Sequence, residues 1–193
     1  MFLSDVDIKK KLKTGEIVIK PFVEKKLQLA SYDVTLDNEF KVVDRHNTTI
    51  VDPVNKIYPK TKKTMIKDGD AFVLHPGETV LGKQREFIGV DHKHLILLSG
   101  KSSLARVGLA VHTTAMLFNP GHHFFPTFEL SNTSNVPIVL RPGMEIAQII
   151  FAELATTSGK TYHGKDGVGR YDGKNSDHFR VKKVKKTLKA KKK

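Results

Sequence analysis

The 193-residue chain contains no cysteine. Disulfides are therefore excluded, and so is any zinc centre built on a Cys-x-x-Cys pair. No apolar run approaches the length of a membrane-spanning helix, and no charged-then-apolar leader opens the chain, so the expected location is the cytoplasm, with no membrane partner. No internal repeat is evident. Acidic residues are absent from Arg180 to Lys193, where nine basic ones stand. Subtracting those nine from the formal net charge of +13 leaves +4 for residues 1–179, so the strongly basic balance belongs mostly to the tail. A Lys-rich end of this kind reads as solvated and disordered. It would attract nucleic acid non-specifically, without reading a base.

What remains is sufficient for a core. Hydrophobic residues make up 39% of the chain, and its length fits one domain of ordinary size. Ser4 followed by Asp5, Asp7 and then lysines predicts a short N-terminal helix from Ser4 to Leu12, stopped at Gly15. From Ile17 onward short apolar or alternating segments recur. They lie at 17–19, 30–36, 40–43, 64–66, 71–74, 78–81, 95–98, 127–130, 138–140 and 146–154. Turn residues separate many of them, among them Asp52-Pro53, Asp68-Gly69-Asp70, His75-Pro76-Gly77 and Arg141-Pro142-Gly143. The Lys-rich 56–67 stretch reads as an exposed loop or hairpin. Many short strands with one early helix predict a mainly β fold, a distorted β-barrel or jelly-roll-like sandwich. Residues 1–179 form the expected domain. Within it, 155–179 is a glycine-rich segment suited to closing over a ligand, and 180–193 is the tail.

The candidate chemistry is concentrated between Leu98 and Glu129, LSGKSSLARVGLAVHTTAMLFNPGHHFFPTFE. Gly100-Lys101-Ser102-Ser103 sets a cation, two hydroxyls and flexible backbone at the end of an apolar run, as an anion-binding turn requires. Arg106 follows within reach. Glu129 is the sole acidic residue between Asp91 and Glu145, and it stands inside an apolar strand. A carboxylate there is expensive unless it is paired or opens onto a site. Two histidine groups, His122-His123 and His92-Lys93-His94, invite a metal reading, but neither has a third ligand nearby in sequence, so no metal site is assigned.

The segments GKSSLARVGLAVHTTA, FNPG and TFEL resemble the trimeric dCTP deaminases of the dUTPase-like superfamily. LSDVDI, ASYDVTL and PIVLRPGMEIAQIIF extend the likeness to nearly the whole chain up to about residue 175. The resemblance implies a dUTPase-type β-barrel assembled as a homotrimer, with sites shared between subunits. It implies hydrolytic deamination of dCTP to dUTP and ammonia. Without cysteine, the zinc route of other base deaminases is closed. Glu129 would be the acid–base group, and Ser102 with the Ala115 carbonyl would hold the attacking water. Arg106 would orient Glu129. Lys101, Ser102, Ser103, Leu104, Ala105 and Arg106 would supply the phosphate loop, and Asn119 the sugar contact. Thr127, Phe128 and Glu129 would line the base, while Tyr162, Arg170 and Lys174 would cover the nucleotide. Mg2+ would arrive with the triphosphate, and dTTP is a further candidate as a feedback ligand.

The chain departs from the family pattern at Asn119, where the family has aspartate, and at Phe124, where it has glycine. Lys174 also replaces a glutamine. A bulky ring at 124 and a proline at 126 are expected to alter the base pocket. Two alternatives follow: a dUTP diphosphatase or bifunctional enzyme giving dUMP and pyrophosphate, and a catalytically silent nucleotide-binding relative.

Overall fold

The computed structural model describes residues 1–160 and Tyr162. The predicted helix is present as α1 (Asp5–Thr14). The Ser4 side chain accepts from the Asp7 N–H while Asp7 reaches back to Ser4, and Gly15 is the C-cap. These reciprocal bonds satisfy two donors that a helix start leaves open. Ile8 is the buried residue of α1, and it anchors the helix to the core.

Thirteen strands follow among the described residues. In order they are β1 (Ile17–Lys20), β2 (Tyr32–Val43), β3 (Thr61–Met65), β4 (Phe72–Leu74), β5 (Thr79–Gln84), β6 (Phe87–Val90) and β7 (His94–Gly100). After a single helical turn, α2 (Ser102–Ala105), come β8 (Leu109–Ala110), β9 (Leu117–Phe118), β10 (His123–Phe124), β11 (Thr127–Asn132), β12 (Ile138–Leu140) and β13 (Glu145–Glu153). The large sheet runs β8-β11-β5-β2-β13-β7-β9, with β3 added to β2. A second sheet runs β1-β6-β10, and β12 pairs with β4. The ladders between these strands are antiparallel, and with thirteen strands and few helical residues among the described residues the mainly β expectation holds.

β2 is the spine. It carries β5 on one side and β13 on the other, and residues 32–36 are all buried. Burial on both faces explains why Asp33 and Thr35 lie inside with Tyr32, Val34 and Leu36. The sequence suggests two strands here, but the structure has one, with an irregular register against β5 between Leu36 and Phe40. Likewise Lys62 and Lys63 belong to β3, whose outward side chains are exposed while its backbone pairs with β2. Phe40 stacks on Phe72 at 4.6 Å, closing the core beneath this edge. Glu86 is fully buried, yet it is satisfied by Lys26 at 2.7 Å, by the Thr35 N–H at 2.9 Å and by the Thr35 hydroxyl. Pairing of this quality is what a buried carboxylate needs. No described helix is long and apolar enough to cross a membrane.

Candidate functional site

Strand alternation places Glu129. On β11, Phe128 and Leu130 face the core and are fully buried, so Thr127 and Glu129 face the other way and are half-buried. Phe128 therefore contributes backbone to any pocket on that face, and its ring packs in the core instead of lining the base. The Glu129 N–H donates to the Val111 carbonyl at 3.1 Å. Its carboxylate accepts the Thr113 N–H at 2.9 Å. At the far end of this loop the Leu98 N–H donates to the Met116 carbonyl at 2.8 Å. Residues 111–116 are thus pinned to β11 and to β7. Ala115 is exposed within this span, on the loop whose Thr113 N–H holds the Glu129 carboxylate.

α2 begins where β7 ends. Ser102, Ser103, Ala105 and Arg106 are exposed, and Leu104 packs against the core. The exit from α2 is fixed by Gly108 at φ 86, where an added Cβ would lie 2.8 Å from the Ser134 backbone nitrogen. The Thr133 N–H and hydroxyl both donate to the Gly108 carbonyl. Only glycine combines that φ with so close an approach.

Within one chain the structure brings Glu129 together with the loop of Ala115. It does not pair Arg106 with Glu129: Arg106 is exposed and makes no ion pair there, and the Thr113 N–H orients the carboxylate instead. Ser102 likewise makes no hydrogen bond to Glu129. Lys101 is held by two carboxylates, Asp33 at 2.7 Å and Glu145 at 3.2 Å. Burial acts to lower the Lys101 pKa, and the bonds to Asp33 and Glu145 outweigh it, leaving the ammonium above its ordinary value. Asp33, Glu145 and Thr113 escaped the sequence reading. Asp33 in ASYDVTL carries the same signal as Glu129, a carboxylate inside an apolar strand.

Asn119 is exposed at the start of the turn after β9, and its carbonyl accepts the His122 N–H at 3.3 Å. The Gly121 N–H donates to the Asp91 carbonyl at 2.8 Å, and the Asp91 carboxylate holds the His94 ring at 2.6 Å. His92 lies in the turn before β7 and His94 is buried at its start, so the two do not share a strand face.

The 122–126 stretch is explained by packing. Phe124 turns inward against the core, edge-on to Phe118 at 4.9 Å and stacked on His122 at 3.7 Å. Tyr162, expected to cover the nucleotide, is instead 7% exposed and stacks on His122 at 4.0 Å. His123 lies over Gly89, where a Cβ would fall 2.1 Å from its ring, so β6 must offer glycine at that position. Pro126 occupies the gap between β10 and β11, and its carbonyl accepts the Gln84 N–H at 2.8 Å. It interrupts no ladder. Arg170, Lys174 and the tail from Arg180 lie outside the described residues.

Residues 2–154 match the family described as dCTP deaminase-like. The chain is 40% identical over 174 residues to a protein of Beutenbergia cavernae named dCTP deaminase, dUMP-forming, covering 90% of each. A protein of the same name from Mycobacterium ulcerans is 41% identical over 174 residues, covering 90% of this chain and 91% of the relative. Among solved structures, the 2'-deoxycytidine 5'-triphosphate deaminase of Agrobacterium tumefaciens superposes with a TM-score of 0.61 at 18% identity. That match covers 78% of this chain and 46% of the other, and it shows a shared fold. The chain belongs to the dCTP deaminase-like family.

Proposed function

We propose that the protein hydrolyses the 4-amino group of dCTP, giving dUTP and ammonia. The observation that carries this reading is the half-buried Glu129 carboxylate, held by the Thr113 N–H of the exposed loop that carries Ala115. In the proposed reaction a water loses a proton to Glu129 as its oxygen attacks C4. Glu129 then returns the proton to the departing nitrogen, so one carboxyl group serves as base and acid in turn. Ser102 and the Ala115 carbonyl would hold the water, and Arg106 would stabilise Glu129 from a neighbouring copy. Val107, Met116 and Leu117, which expose 55%, 41% and 51% around this region, are suited to being covered in a homotrimer. Lys101 to Arg106 would receive the triphosphate and Asn119 the sugar, whereas the Tyr162 ring is taken up by its stack on His122.

Magnesium enters this reading as the counter-ion of the triphosphate. No group of three His, Asp or Glu side chains among the described residues is arranged to hold a metal ion. Asp33 and Glu145, the carboxylates near the turn, are engaged by Lys101. Magnesium bound mainly through phosphates and waters needs no such cage. The complete absence of cysteine supports a route without thiolate-bound zinc.

A second reading, continuation to dUMP and pyrophosphate, is favoured by the names of the 40%-identical relatives. Against it stands Asn119, because a neutral amide is a very poor base for activating water at a phosphate. Incubation with dCTP and magnesium, followed by chromatography of all nucleotides, separates the two. Accumulating dUTP without matching pyrophosphate supports the first reading, and Asn119→Asp should then raise hydrolysis. Stoichiometric dUMP and pyrophosphate establishes the second. No product from dCTP would leave a silent nucleotide-binding relative.

A further inference from the structure

Lys101 is the N-cap of α2, yet its side chain reaches from the end of β7 across β13 to Asp33 on β2. The row beneath it is polar. Asp33, Gln148 and Ser99 are opposite one another in register across β2, β13 and β7. Gln148 accepts from the Ser31 hydroxyl at 3.1 Å and donates to the Gly100 carbonyl at 3.4 Å. Asp33 is 5% exposed and accepts from Gln28 at 3.2 Å on the same oxygen that holds Lys101. A polar seam through a barrel wall thus ends on Gly100 and Lys101, the two residues that introduce the α2 turn. Taking a carboxylate out of water is costly, and a purely apolar seam would hold three strands together without that penalty.

The geometry of the ammonium suggests what the seam does. Lysine carries three N–H donors. Asp33 and Glu145 take two of them, which leaves a third on a side chain that is 25% exposed. We propose that Asp33, assisted by Glu145, is a positioning residue for nucleotide binding, holding the Lys101 ammonium at the mouth of the α2 turn with one N–H presented to the triphosphate. This rests on the reading of that turn as the triphosphate seat. It converts a flexible four-carbon side chain, which would lose rotamer freedom on binding, into one already ordered.

The test is a double-mutant cycle on Asp33 and Lys101, read by calorimetric titration of inorganic tripolyphosphate and by kcat and KM for dCTP. Asp33→Asn should weaken tripolyphosphate binding and raise KM about tenfold, the size of one charge-assisted bond, with kcat within about twofold. In a Lys101→Met background the same substitution should leave affinity unchanged or improved, because no ammonium remains to be positioned. Glu145→Gln, at the more exposed partner, should show the same dependence on Lys101 with a smaller effect, and it serves where Asp33→Asn fails to fold. Equal losses in both backgrounds would reduce Asp33 to a structural ion-pair partner and overturn the proposal. So would tighter tripolyphosphate binding by Asp33→Asn, or no binding by the unmodified protein. An intact cycle on tripolyphosphate without conversion of dCTP would instead reject deamination and leave the positioning role standing.

Discussion

Glu129→Gln isolates the proposed proton transfer from everything else that Glu129 does. The carboxylate accepts the Thr113 N–H at 2.9 Å. Glutamine has the same length and an amide oxygen that can take this bond, so the 111–116 loop stays tethered. The bond changes from charge-assisted to neutral, a loss of about 1 kcal/mol, which is a few-fold in KM at most. The chemical step loses its base, and general acid–base groups contribute on the order of 10²–10⁴-fold. At 1.36 kcal/mol per factor of ten, this corresponds to about 3–5 kcal/mol of barrier. Ammonia release from dCTP should therefore fall by at least about a hundredfold, while calorimetry still shows dCTP binding within a few-fold of the unmodified protein. Glu129→Ala, which also frees the Thr113 N–H, should lose binding as well as turnover. Turnover undiminished in Glu129→Gln would remove Glu129 from the mechanism. Parallel loss of binding and turnover in both variants would show that the residue merely holds the loop.

Four further outcomes are expected. Asn132, 2% exposed, donates to the carbonyls of Leu74 and Val136 and accepts from the N–H and hydroxyl of Ser134. Asn132→Ala should destabilise by about 2–3 kcal/mol in urea unfolding, since buried partners are left unsatisfied, and a loss below about 1 kcal/mol would refute that account. Burial acts to raise the Asp91 pKa, but the His94 ring and the N–H groups of Lys93 and His94 hold it below the ordinary 3.8. A depressed carboxyl contributes stability above its unfolded pKa and loses it as pH falls through the folded one. Asp91→Asn should therefore flatten the acid decline in melting temperature below about pH 4, and equal acid slopes would count against this. Light scattering at micromolar concentration should report a trimer, with dCTP turnover nearly unchanged by deleting residues 180–193. A monomer would show that no partner copy completes the site.

Much of this protein was legible in one dimension because its local rules are strong. Ser4, Asp7 and Gly15 specify where α1 begins and ends through bonds made within a few residues. Turn residues such as Asp68-Gly69-Asp70, His75-Pro76-Gly77 and Arg141-Pro142-Gly143 marked where strands end, because they favour turn backbone whatever lies around them. The motif run from Gly100 to Glu129 sufficed to identify the family. Tertiary structure decided the rest, wherever a side chain's partner is remote in sequence. Lys101 meets Asp33 across 68 positions, and the Thr113 N–H, not Arg106, meets Glu129 within the chain. Phe124 looked like an intruder in a base pocket until its neighbours Phe118 and His122 turned it toward the core. Periodicity reports which way a side chain leaves its own strand. What it finds there depends on which strands the fold sets alongside, and antiparallel ladders bring together residues that no spacing in the sequence connects.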